Sequence, residues 1–195
     1  MKYSDNEIKN LQNDPVFLDE LQEKEVKAFQ SKSIIDLYDI LDTLLLFESD
    51  TKNRINKLYE TIIEEAFKIL HSKLENEQMF DLNIEYEHYS LRAIYEYAIE
   101  KYSGNLLHEA KEVFIILSIL TENNIFKGAM QIHLIAIIQK INFEDFISQF
   151  VDANKMESEN ESFFILYFFD SANKFLHENA HLIKKAIQEV KNIKL

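Results

Sequence analysis

Two glycines, Gly104 and Gly128, and a single proline, Pro15, serve the whole of a 195-residue chain. Many-stranded β folds and phosphate-cradling loops draw on glycine and proline for turns that other residues form only at a cost. The chain is therefore confined to helices joined by short links. Hydrophobic residues make up 47% of it and charged residues 28%, enough apolar side chain for a core and too much for a disordered polymer. Cysteine is absent, which excludes a disulfide framework, a thiolate zinc site and a cysteine nucleophile.

Charge narrows the partners. The net charge is −13, and the half before Ser90 holds 20 acidic side chains against 10 basic ones, whereas the half after it holds 14 against 11. Such a surface repels phosphate backbones and predicts no nucleic-acid binding. It favours a basic partner. The lysines near the end (Lys184, Lys185, Lys191, Lys194) complement the C-terminal dipole of a last helix. Residues 1–13 lack the basic-then-apolar plan of a signal peptide. No apolar run approaches the ~20 residues a bilayer span needs. The expectation is a cytoplasmic protein with no membrane contact.

Helical period runs through most of the chain. Asp14-Pro15 opens a helix over Val16–Phe29, with proline in the first turn, where its missing N–H costs nothing. Ser33 precedes Ile34, Ile35, Leu37, Tyr38, Ile40, Leu41, Leu44 and Leu45, a stripe wide enough to be covered on two sides. Ser49, Asp50 and Thr51 offer capping oxygens before Ile55, Leu58, Tyr59, Ile62, Ile63, Ala66, Phe67, Leu70 and Leu74, which keep a 3.6-residue period throughout. A polar link, 75–83, follows and sets the expected division into a helical segment 1–82 and an array 83–195. The array reads as three helix pairs: Tyr89–Tyr102 with Leu106–Leu120, Phe126–Lys140 with Phe143–Asn154 capped by Asn142, and Ser162–Leu176 with Asn179–Ile193.

Aligning the second helix of each pair exposes a repeat. Ala110, Phe114 and Leu117 stand 36 residues before Phe146, Phe150 and Ala153, and Ala180 stands 34 after Phe146. Two helices per unit with a period in the mid-thirties is the pattern of a helical solenoid, whose pairs bury their apolar faces on one another. The first unit resembles a tetratricopeptide repeat. It places Ala98 in its first helix, Tyr102 one turn on, Gly104 at the turn, Ala110 at the helix contact and Phe114 beyond it. Phe146 and Phe168 hold places that the repeat pattern gives to small residues, and the proline that closes each unit is missing.

Over residues 89–195 the array is similar to the class II chaperones of type III secretion systems, which hold an extended segment of a secreted translocator in a concave groove. The resemblance implies a non-catalytic adaptor or chaperone for a protein or peptide partner, such as a secreted or flagellar client. It also implies a groove lined by Tyr95, Ile99 and Tyr102, then Gln131, Ile135 and Ile138, then Ile165, Phe169 and Ala172; the alternative is that these are core residues, the reading favoured for Ile135 and Phe169. It calls for no cofactor, and a homodimer is compatible with it.

The competing reading is a metal-dependent enzyme. His177-Glu178-Asn179-Ala180-His181 fits the H-E-x-x-H pattern, in which two histidines on one helix face bind zinc and the glutamate serves as general base. The local pattern resembles the zincin metalloproteases. Lys184 and Ile187 occupy the offsets of the metzincin glycine and third histidine, and the motif straddles the expected turn between the last two helices. A second pattern pairs Glu85-x-x-His88 with Glu178-x-x-His181, as in di-iron bundles, with Glu64 or Glu65 and Glu109 or Glu112 as further ligands. His133, among Ile132, Leu134 and Ile135, reads as a core or groove residue.

Overall fold

The computed structural model describes residues 4–47, 51–158 and 163–192. The described residues form an all-α protein whose only β pairing is two isolated bridges. They divide into two compact units, Met1–Ser72 and Lys73–Leu195.

The first unit opens with α1 (Asp5–Gln12), a helix that the polar N-terminus did not advertise. Its signal is local: Ser4 and Glu7 form a capping box, in which the Ser4 hydroxyl receives the Glu7 N–H and the Glu7 carboxylate receives the Ser4 N–H. Helix α2 (Pro15–Ser31) begins as expected, Asp14 accepting from the N–H groups of Val16 and Phe17 with Pro15 in the first turn. Ser33 caps α3 (Ile34–Leu45), which buries Ile34, Leu37, Tyr38, Ile40, Leu41 and Leu44, a stripe too wide for one face. Helix α4 (Lys52–Glu75) buries Leu58, Ile62, Ala66 and Leu70, spaced by four. Charges tie α2 to α4: Arg54 pairs with Glu25, and Lys32 reaches Glu65 at 3.0 Å. Ser49 and Asp50, expected to cap this helix, lie outside the described residues.

In the second unit a clip fixes the start of the array. Glu87 is buried and receives Lys73 Nζ at 2.6 Å, the Asp81 N–H at 2.7 Å and the Tyr86 hydroxyl at 3.0 Å. Burial alone pushes the Glu87 carboxyl up, but these three donors outweigh it and hold the group below its ordinary value. The Phe80 N–H donates to the Leu120 carbonyl at 2.7 Å, seating the link beside the end of the second helix after it.

Helices α5 (Glu85–Ser103), α6 (Leu107–Ile119) and α7 (Asn124–Ile138) then stack as neighbours joined by short turns, α6 packing on both others. At the first turn Asn105, not Gly104, takes the left-handed conformation, with φ 60° against −77°. Glycine is needed at 104 for approach instead, since a Cβ there would meet the Glu100 carbonyl oxygen at 3.1 Å. Asn142 caps α8 (Phe143–Phe150) by accepting from the Asp145 N–H, and a short α9 (Ala153–Ser158) follows.

The third helix pair is not formed as expected. Residues 163–169 are not helical but bend at 163–164 and run on to the bridge at Phe168, and one continuous helix, α10 (Asp170–Asn192), replaces the second half of that pair and packs on α7 and α6. The sequence over 163–169 is Phe-Phe-Ile-Leu-Tyr-Phe-Phe, seven apolar residues without a polar break. A helix would spread those rings around its whole circumference. Outside a helix, Phe164 and Phe168 both turn inward here, against Tyr95 and His133. The expected turn at 177–179 is likewise absent, because Ala172, Phe175, Ile183 and Ala186 carry one helical stripe through it, all shielded to some degree.

Candidate peptide-binding face

The second unit centres on a buried histidine. On α7, His133 is fully enclosed, its ring stacked on Phe114 of α6 at 4.8 Å and packed against Phe146 of α8 at 4.6 Å. Its Nδ1 lies 2.8 Å from the Ala129 carbonyl one turn back and must therefore carry the proton. That leaves Nε2 as an acceptor, and the Tyr95 hydroxyl on α5 donates to it at 3.3 Å. The Tyr95 oxygen in turn accepts the backbone N–H of Ile165 at 3.0 Å. A relay thus runs from Ile165 through Tyr95 and His133 into α7. Burial pushes His133 down to about 4, overriding the opposite pull of its bond to Ala129, and raises the Tyr95 phenol above its usual range.

The non-helical segment, residues 163–169, lies across α5 and α7 and is held along its length. Phe164 fills a pocket between Tyr95, Phe126 and His88, with ring centroids 5.3, 4.9 and 5.4 Å away. The Arg92 guanidinium sits 3.9 Å from the centre of the Phe163 ring while its Nε bonds Glu96 at 2.8 Å. Phe168 meets His133 edge-on at 5.9 Å. An antiparallel bridge between Val151 and Phe168 closes the far end, the Phe169 N–H donating to Phe150 at 2.9 Å and the Asp152 N–H to Tyr167 at 3.0 Å.

The residues expected to line an open groove fall into three groups. Tyr95, Tyr102, Ile135 and Ala172 are buried, and Tyr102 donates its hydroxyl to the Ile141 carbonyl at 2.7 Å. These four are interior side chains: the Phe164 ring covers Tyr95, Phe143 and Phe146 of α8 cover Tyr102, and Ala172 belongs to α10 itself. Ile99, Gln131 and Ile138 are half-buried. Ile165 and Phe169 do not line the face at all; they belong to the segment that occupies it, Ile165 half-buried and Phe169 exposed. Sequence reasoning missed Phe163, Phe164 and Phe168 as anchors, and Arg92 and His88 as their receivers. The unbroken apolar run was the available signal.

The metal-like motifs are placed differently from expectation. His177, Glu178 and His181 lie inside continuous α10 rather than across a turn, one helical turn apart and exposed. His88 Nδ1 faces the Leu82 carbonyl at 3.2 Å and its ring packs on Phe163 and Phe164. Glu85, Glu109 and Glu112 are exposed, Glu112 lying 3.7 Å from His108, while Glu64 and Glu65 both bind Lys68. Among the described residues no three His, Asp or Glu side chains come together as a metal-binding group. No described helix is long and apolar enough to cross a membrane. Set against known proteins, the chain matches no family model, no curated protein and no solved structure.

Proposed function

We propose that the protein is a non-catalytic binding module, an adaptor or chaperone whose second unit holds an extended segment of a protein or peptide partner on the face built by α5 and α7. One observation carries this reading. That face already grips a non-helical segment, residues 163–169, by means independent of the segment's being helical: an aromatic pocket for Phe164, a cation over Phe163, and a tyrosine hydroxyl on the backbone N–H of Ile165. Aromatic anchors set in pockets, with a few directed polar bonds, are how helical scaffolds bind linear segments.

The test is affinity capture from native extract with cross-linking, followed by titration of the purified partner. A stoichiometric partner joined to α5 or α7 through one contiguous stretch is the expected result, and a secreted or flagellar client would favour the chaperone form. Capturing no stoichiometric partner would overturn the reading. So would finding one zinc or iron per chain, lost in a His177→Ala/His181→Ala variant together with a hydrolytic activity.

A further inference from the structure

We infer that residues 163–168 are a self-supplied occupant of the binding face, and that the partner segment takes their place. That segment is extended and aromatic, and it carries a hydrogen-bond donor, a tyrosine hydroxyl or an indole N–H, where this chain has Phe163 and Phe164. The inference rests on the proposed binding role and identifies its site and ligand chemistry.

Three observations support it. First, the segment is docked from outside rather than threaded through the core. Only Phe164 is fully buried, whereas Phe163 and Phe169 keep 38% and 44% of their surface exposed and the residues between are half-buried. The rings beneath it, Phe114, His133 and Phe146, pack on one another independently of it. Second, the Tyr95 hydroxyl recognises a backbone N–H, a group any extended peptide offers, and His133 orients that hydroxyl.

Third, the fit of the chain's own segment is incomplete. With His88 Nδ1 donating to the Leu82 carbonyl, Nε2 is the ring atom left to accept, yet it is buried with no hydrogen-bond partner. The ring lies against Phe163 and Phe164, which have nothing to donate. Buried polar atoms are nearly always satisfied in native proteins, and an orphan is costly to keep. An occupant bearing a donor at this place satisfies His88 and displaces the resident segment by that difference.

Hydrogen exchange on the intact chain and binding of a fluorescent peptide test the inference together. The peptide comprises residues 157–170, as such and with Phe163→Trp or Phe164→Tyr. The Ile165 and Phe169 amides are expected to exchange at least ~100-fold faster than the slowest amides of α7, because the segment opens locally. The peptide is expected to bind full-length Phe164→Ala, or Ile165→Pro, which lacks the N–H given to Tyr95, roughly tenfold more tightly than wild type. Donor-bearing peptides should gain about fivefold more, a gain that His88→Phe abolishes. Exchange of Ile165 at the rate of the α7 core overturns the inference, as does failure of the peptide to bind either loosened variant, or equal binding of all three peptides. If it fails while a partner cross-links elsewhere, the adaptor reading stands at another face; absence of any partner removes that reading whatever the exchange rates.

Discussion

His133 shows how one side chain can set both packing and acid sensitivity. Its folded value of about 4 lies below the ordinary 6.5 because burial penalises the imidazolium. Between those values the unfolded chain binds more protons than the folded one. Stability is therefore complete above about pH 6.5 and falls as the pH drops toward 4, by about 3 kcal/mol for this group. Urea midpoints measured across that range should fall steeply for wild type and much less for His133→Leu. Glu87, held below the usual carboxylate value, adds its own loss only at still lower pH. Phe146 is the second instructive residue. In sequence it breaks the small-residue position of the repeat; in the structure it touches His133, Tyr102, Phe143, Phe150 and Phe168. The ring fills space that a closer helix approach would otherwise remove. Phe146→Ala should cost about 3–5 kcal/mol in denaturant unfolding.

At the scale of the element, helices α2 to α8 were legible in outline, whereas α1 and the start of α10 were not. Asp14, Ser33 and Asn142 announce their helices through side-chain oxygens that sequence displays, and each accepts the N–H groups it should. The ends use left-handed residues that sequence hides, because a glycine-poor chain makes them with Lys32, Asn105 and Lys140, at φ 56°, 60° and 59°. Lys140 is exposed. Lys140→Gly should stabilise by about 0.5–1 kcal/mol, read as a rise in melting temperature, because glycine carries no Cβ penalty there. The segment 163–169 was misread as helix for a different reason. Its apolar run has neither a period of 3.6 nor of 2, so burial pattern alone could not choose, and the choice was made by receivers 35 to 76 residues away in α5 and α7 that no local window contains. The Lys73–Glu87 clip was equally invisible, since it joins the end of α4 to the start of α5 across a link read only as polar. Glu87→Ala removes the shared acceptor of half-buried Lys73, the Asp81 N–H and the Tyr86 hydroxyl, and a loss of about 1–3 kcal/mol is expected by chemical denaturation.

For the whole molecule, the all-α class followed from glycine and proline scarcity, and the stacked α5–α7 array from the period of its apolar residues. Of the candidate face, Tyr95 is a buried side chain whose hydroxyl receives the Ile165 N–H of the same chain, a pairing no local stretch of sequence displays. A chain ending at residue 152 keeps that face and loses its cover. It should bind a hydrophobic dye several-fold more strongly than the full chain, as measured by fluorescence. The same geometry has a consequence in time. The Tyr95 hydroxyl and the Ile165 N–H that it receives are separated by 70 residues. The face is complete only once α7 ends at Ile138, so at ~5–20 residues per second it waits roughly 1–5 s for Ile165 to be made. Each newborn chain thus passes once through a state in which the aromatic face is open and its own occupant does not yet exist. Under the proposed binding role, a partner made nearby would meet no competitor in that interval, and the most favourable moment for association would come before the ribosome has finished.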